Sequence, residues 1–458
     1  MELIGTINGY INDFVWGVPC IVLIMGVGLI TTIRLKGMQF KNWGFMLKHT
    51  YVKAFSKEGR AAGGDGDITS FQAAMVSVSA VVGSGNIAGV ATAIVLGGPG
   101  AMFWMIIAAL VGMATKYAEI GLGVKYREKM PDGSWAGGPM YYIANGMKVK
   151  WLGTVFAVLM IFAGFMISAV VDTNTMAAAL NEQFGLNPVI AGVIFVVLTG
   201  IVIFGGITRI GEVCGLLSPF MAGAYLLCGL FVIVSNIGQL PTAIVQVISG
   251  AFNPASITGG AVGSVFMCMR YGLARGIFSN EAGIGTAAIT HASAKVNTPG
   301  EQAIWGPMEV FVDTIVVCSI SGLTIVMSGL WNTGVDGAAL TMRAFSSMLP
   351  GNWGSYVVLG AVILFGFSCL ISWYNYVEKA GVSMWGPKCK SLLKILWLVF
   401  ILIGSYTTLG IAWDLADTAN GLLIIPNMIA ILMLGKEIVK MKDDFYDEEL
   451  PKYKAGKK

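Results

Sequence analysis

Runs of 18 or more largely apolar residues recur from one end of this chain to the other, and no other feature limits its fold as much. Hydrocarbon offers no partner to a backbone N–H or C=O, so such runs become helices that cross a bilayer. Charge agrees with this reading. Only 12% of the residues are charged and 56% are hydrophobic, against about 25% charged in an ordinary soluble domain. The spacing of the runs predicts spans at 15–33, 69–95, 101–124, 151–180, 188–208, 212–236, 258–290, 303–330, 353–376, 395–412 and 417–435. The expected fold is an all-α polytopic membrane protein with eleven transmembrane helices.

Basic residues orient these spans. The segment after the first span carries Arg34, Lys36, Lys41, Lys48, Lys53, Lys57 and Arg60, which marks it as cytoplasmic. Alternation then places 125–150, 209, 291–302, 377–394 and the tail from 436 on the same side. Those segments hold 25 of the 29 Lys and Arg; the outside loops hold Arg343, and Lys116, Arg270 and Arg275 lie within spans. An error of one span would scramble this pattern. The expected location is the cell membrane, multi-pass, with the N-terminus outside and the C-terminus cytoplasmic. The opening MELIGTINGYINDF lacks the basic lead of a secretory signal peptide. The net charge of +4 is loop charge of this kind rather than a nucleic-acid patch. Six of the seven cysteines sit within spans, no CxxC or CxxH occurs, and His49 and His291 are the only histidines. Neither a disulfide framework nor a zinc site is expected.

Five domains of organisation follow: an N-terminal helix and basic connector (1–68), a first five-helix set (69–236), an extracellular connector (237–257), a second five-helix set (258–435) and a charged cytoplasmic tail (436–458). Five is odd, so the second set runs through the bilayer in the opposite sense. Such 5+5 inverted repeats build many secondary carriers, with discontinuous helices at the site. The first helix of each set is unusual. In the first, Gly83, Ser84, Gly85 and Asn86 interrupt an apolar run. In the second, Gly272, Gly276, Ser279, Asn280, Gly283 and Gly285 do so. Each glycine weakens a helix by about 1 kcal/mol relative to alanine, and Ser and Asn compete for backbone hydrogen bonds. Two broken helices at matching positions are therefore expected around one central site, with close helix packing as the competing use of glycine.

A broken helix exposes N–H groups suited to a carboxylate and carbonyls suited to a hard cation or an ammonium. That pairing fits an amino acid and its coupling ion better than a sugar or a metal. Span nine offers Ser368 as a hydroxyl ligand, with Trp373 and Tyr374 as pocket walls. Charges within spans are costly unless paired. Lys116 and Glu119, three apart, share a face on which they can pair; Arg275 and Glu281 lie beside the second break, Glu309 and Asp313 share a face of span eight, and Asp172 sits in span four, each reading as part of a structural ion pair or a gate latch. No single midplane carboxylate stands out as a proton relay, which favours Na⁺ over H⁺ coupling.

The stretch GGPGAMFWMIIAALVG (97–112) resembles the signature of the alanine or glycine:cation symporters, also called sodium:alanine symporters, except that Ile106 stands where Trp is usual. RYGLARGIFSNEAGIG (270–285), VGSGNIAG and GGPMYYI fit the same family, and the likeness spans 69–435. The resemblance implies the inverted-repeat fold of the bacterial leucine transporter and uptake of alanine and glycine driven by Na⁺, the coupling ion. The leucine transporter's first core helix reads VGLGN, and VGSGN (82–86) aligns with it. That alignment implies backbone contacts from Gly83, Ser84 and Gly85 to the substrate carboxylate, with Asn86 close by and the Val82 carbonyl on Na⁺. It implies a Na⁺ hydroxyl pair at Ser368 and Cys369, where the thiol of Cys369 is a poor ligand. A pocket for alanine must be small, and Phe165, Tyr271, Phe278 and Trp373 are its candidate walls. The expected partners are a small amino acid and the lipid bilayer, with the protein working as a monomer. A proton-coupled carrier or exchanger is the alternative. A channel suits one central site less well, and a membrane enzyme finds no HExxH motif here.

Overall fold

The structure is a computed structural model that describes residues 2–54, 56, 63–253, 263–407 and 409–455. Part of the connector (254–257) and the start of the predicted seventh span (258–262) lie outside the described residues. Helices account for nearly all of it. In chain order they are α1 (Glu2–Val15), α2 (Val18–Arg34), α3 (Ser70–Val81), α4 (Ala88–Gly97), α5 (Ala101–Lys125), α6 (Lys150–Phe184), α7 (Pro188–Ile203), α8 (Gly206–Ser235), α9 (Leu240–Phe252), α10 (Gly263–Asn280), α11 (Thr286–His291), α12 (Pro299–Ser328), α13 (Gly337–Met348), α14 (Trp353–Trp385), α15 (Lys390–Tyr406), α16 (Leu409–Met433) and α17 (Gly435–Ala455). Short turns of helix fill 38–52 and 139–146.

Eight stretches among the described residues are long and apolar enough to cross a membrane: Gly5–Arg34, α5, α6, α8, α12, α14, Pro387–Tyr406 and Trp413–Met433. The other three predicted spans miss that length for a physical reason. Two are broken, into α3 and α4 and into α10 and α11, and the third, α7, has 16 residues. The connector is not bare chain: α9 lies in it and packs so tightly that a Cβ on Gly100 would sit 2.2 Å from the Gly250 carbonyl carbon.

Local chemistry sets the ends of the first broken helix. Thr69 and Gln72 form a capping box at the start of α3, with Gln72 N–H donating to Thr69 Oγ1 at 3.1 Å and Thr69 N–H to Gln72 Oε1 at 3.0 Å. Ile68–Thr69 pairs in parallel with Ala294–Lys295, tying the start of α3 to the chain leaving α11.

The second break lies later than the glycine pattern suggests. Helix α10 runs without interruption through Gly272 and Gly276 and gives way only at Glu281–Gly285. The two earlier glycines serve close approach to α5. A Cβ on Gly272 would meet the Ala101 carbonyl oxygen at 2.3 Å, and one on Gly276 would meet Met105 Cγ at 3.1 Å. The break itself needs left-handed backbone at Glu281 (φ +55), Gly283 (φ +108) and Gly285 (φ +90).

Candidate functional site

The first break is a short, fully buried stretch. Helix α3 stops at Val81, Ser84–Asn86 makes one tight turn, and α4 resumes at Ala88. The Asn86 side chain holds the turn from both sides. Its Oδ1 accepts from Gly83 N–H at 2.8 Å, and its Nδ2 donates to Asp313 Oδ1 at 2.6 Å. Ser84 Oγ donates to Asp172 Oδ1 at 2.5 Å. Among the described residues, no hydrogen bond ends on the carbonyls of Val81 and Val82, and none leaves the Gly85 N–H. A main chain buried in this way ordinarily finds partners, so these groups are the ones a ligand would satisfy.

Two carboxylates flank the turn, and both lie on π-helical segments, a local widening that recurs at functional sites. Asp172 ends such a segment in α6 (Phe165–Asp172), and Asp313 lies in one in α12 (Phe311–Cys318). Asp313 Oδ2 accepts from Ser279 Oγ at 2.9 Å and from Thr314 Oγ1 at 2.7 Å. Asp313 thereby links the first break to the end of α10. Asp172 Oδ2 and the Ser168 hydroxyl are buried without a well-formed hydrogen bond among the described residues, and Ser168 and the Cys369 thiol both face Asp172. From sequence both acids read as structural pairs or latches. Their positions opposite VGSGN depend on tertiary packing and leave no local signal.

Helix α14 covers the carbonyl end of α3. Ser368 Oγ lies 3.3 Å from the Ser79 carbonyl and donates within its own helix to Phe365 O at 2.9 Å. Cys369 Sγ lies 3.2 Å from the Ala80 carbonyl, and Trp373 Nε1 donates to the same oxygen at 3.3 Å. Ser368 and the Ser79 carbonyl are the oxygen groups brought together here. The Cys369 thiol serves as a donor to Ala80.

The predicted pocket walls separate. Trp373 stands beside the break, and so does Phe278, whose ring would meet a Cβ on Gly85 at 3.3 Å. Tyr271 does not: its Cβ packs against Gly97, at the far end of α4. Phe165 stacks on Trp397 and Phe400 of α15, with ring centroids at 5.4 and 4.7 Å. An aromatic residue in an apolar run carries no mark of which neighbour it meets, and these two pack against helices rather than against the break.

A cavity of about 430 Å³ opens along α4, lined by Ala88, Thr92, Arg275, Asp336, Trp413 and Asp414 among others. At its floor, Arg275 pairs with both oxygens of Asp417 at 2.7 and 2.8 Å and lies over the rings of Phe278 and Trp413. Phe278, which lies over Gly85, packs on Trp413 with ring centroids 5.5 Å apart, beside that ion pair. A second cavity of about 300 Å³ opens near the start of α3, lined by His49, Lys53, Ser70, Glu301 and Trp305 among others.

Comparison with known proteins gives consistent results. The family model described as the sodium:alanine symporter family matches residues 1–458. A sodium/alanine symporter, AgcS, of Methanococcus maripaludis is 41% identical, with 96% of each chain covered. A probable sodium/glutamine symporter, GlnT, of Bacillus subtilis is 36% identical over all of this chain and 93% of its own. Among solved structures, MhsT in complex with L-phenylalanine superposes with a TM-score of 0.62 at 15% identity, covering 83% of this chain and 93% of that one. That last likeness concerns the fold.

Proposed function

This chain belongs to the sodium:alanine symporter family and is a transporter for Na⁺-coupled amino-acid uptake, not an enzyme; from that premise we propose that it imports alanine and glycine by symport with Na⁺, alternating access around the first break. The observation that carries this reading is the Val82–Ile87 turn, which leaves the Val82 carbonyl and the Gly85 N–H unengaged among the described residues and is flanked by Asp172 and Asp313.

The Gly85 N–H suits the substrate carboxylate, at the partially positive start of the chain entering α4, while the Gly83 N–H, the other glycine expected there, is held by Asn86 Oδ1. Asn86 keeps that turn open. Asp172 Oδ2, buried without a well-formed hydrogen bond among the described residues, suits the substrate ammonium. A zwitterion bridging the two would neutralise both ends without leaving a buried charge bare. For Na⁺, written here as the co-substrate, the carbonyls of Ser79 and Val82 and the hydroxyl of Ser368 are on this reading the hard-oxygen donor set. Cys369 falls outside it. Trp373 and Phe278, both beside the break, are the walls that on this reading admit a methyl group and exclude longer side chains by steric overlap. The full architecture of this reading is eleven spans, N-terminus out, working as a monomer.

Proteoliposome flux tests the reading. An inward Na⁺ gradient should drive uptake of radiolabelled alanine and glycine, and glutamine, to which a relative's name points, should compete poorly. Uptake driven by a proton gradient in Na⁺-free buffer would establish instead the proton-coupled alternative. The buried oxygens of Asp172 and Glu119 that lack a well-formed hydrogen bond among the described residues give that alternative its footing.

A further inference from the structure

The second break differs from the first in that one neighbouring helix places an ammonium on a carbonyl at its α10 end and a carboxylate on an N–H inside its turn. Helix α5 presents a stripe of Gly112, Lys116, Glu119 and Gly123 to the 280–288 stretch, at the spacing of a single helix face. The two glycines let the backbones approach. A Cβ on Gly112 would lie 2.9 Å from Ala282 Cβ, and one on Gly123 would lie 2.6 Å from the Ala288 carbonyl oxygen. Between them, Lys116 Nζ donates to the Asn280 carbonyl at 2.6 Å, at the end of α10. Glu119 Oε1 accepts from Gly283 N–H at 2.8 Å, inside the turn. Asn427 completes the arrangement by donating to Glu119 Oε1 at 2.6 Å and to the Gly283 carbonyl at 2.8 Å. Lys116 and Glu119 are both fully buried, and Lys116 lies 3.7 Å from Glu309.

An ammonium on a helix-terminal carbonyl and a carboxylate on a turn N–H are what a cation and a zwitterion would supply to a broken helix. The geometry points to Lys116 and Glu119 as resident substitutes for such ligands: positioning residues that hold the second break in place, so that it takes no solute or ion. Lys116 acts through the residues just before Asn280. Phe278 and the Ser279 backbone both lie 3.3 Å from the Cβ position of Gly85. Fixing the Asn280 carbonyl therefore fixes the wall of the first break. Buried charges of this kind are costly to leave unpaired, so the pair must be made within the protein. Only the consequence for uptake rests on the symport reading; the filling of the break does not.

The test compares wild type with Lys116→Met and Lys116→Ala in detergent and in proteoliposomes. Hydrogen–deuterium exchange should accelerate by about tenfold over 281–285 in both variants, as expected when a buried hydrogen bond is lost, and should stay unchanged over the apolar start of α5. Alanine uptake should fall by at least about tenfold, mostly as a raised KM for alanine. Methylammonium, fitting the space vacated in Lys116→Ala, should slow exchange over 281–285 again and restore part of the uptake. Should either variant fail to assemble, Glu119→Gln carries the exchange measurement, with faster exchange at Gly283 expected. Unchanged exchange over 281–285 overturns the inference, as does a folded Lys116→Ala that methylammonium leaves unaltered. Wild-type protein that takes up no alanine overturns the symport reading alone, because the exchange result stands apart from transport.

Discussion

The two broken helices answer the same physical demand in opposite ways. Both leave main-chain groups unpaired deep in the protein, where hydrocarbon supplies no partner. At Val82–Ile87 the chain itself closes only part of the deficit, through Asn86. At Glu281–Gly285 charged side chains of a neighbouring helix take part, Lys116 on the Asn280 carbonyl and Glu119 on the Gly283 N–H, with Asn427 on the Gly283 carbonyl. The comparison separates a discontinuity whose backbone is held mainly by its own turn from one held by charged side chains of a neighbouring helix, and on the proposed reading the first binds and the second does not.

Asn86→Leu attacks the open break most directly. It removes the amide that joins Gly83 N–H to Asp313, and uptake should fall by about a hundredfold or more, since it leaves a buried carboxylate without its amide donor. Size-exclusion profiles should still show a folded protein; near-normal uptake would remove Asn86 from the site. Asp172→Asn comes next. It keeps shape and takes away the charge proposed for the ammonium, so KM for alanine should rise by about tenfold or more with a smaller change in maximal rate. An unaltered KM would leave the substrate amine to another partner. Trp373→Ala should admit valine or leucine, with uptake of those solutes rising by several-fold, in line with about 1–3 kcal/mol per methylene group accommodated. If size preference stays put, Phe278 is the wall.

At the closed break, Gly285→Ala should behave differently. Its Cβ would fall 2.4 Å from Pro139 Cγ in a left-handed conformation. A cost of about 1–3 kcal/mol in stability is expected, with substrate range unchanged. A lowered melting temperature with the alanine-to-valine preference retained would sharpen the contrast between the two breaks. The smallest effect belongs to Asp132, remote from both. Burial pushes its carboxyl up, but hydrogen bonds from Lys390 and Ser134 outweigh that and hold it below the usual carboxylate range. Its contribution is therefore present above its ordinary pKa and is lost as pH falls through the depressed value. Asp132→Asn should lower the melting temperature by about 1–2 °C between pH 5 and 8, the difference closing below about pH 4.

The first break is legible in the sequence because four consecutive residues, Gly83 to Asn86, all disfavour helix. The second is harder to locate because its glycines spread over 272–285 and do two jobs. Gly272 and Gly276 let α10 lie against α5, and only Gly283 and Gly285 shape the turn. Composition alone cannot separate these uses, since both ask for a missing side chain. Aromatics fare worse. Trp373 and Phe278 meet the site while Tyr271 and Phe165 pack elsewhere, a distinction made by helix rotation. Asp172 and Asp313 are visible as buried acids, but their role turns on π-helical widening that leaves no trace in residue type.

The two-residue pairing of Ile68–Thr69 with Ala294–Lys295 has a mechanical consequence. It stitches the leading end of one broken helix to the trailing end of the other through main chain, and Asp67 and Ile68 N–H both add a bond to the Ser293 carbonyl, at 2.8 and 3.1 Å. On that face α3 and α11 form a single lever arm. Any displacement of the start of α3 is therefore coupled through main chain to the end of α11.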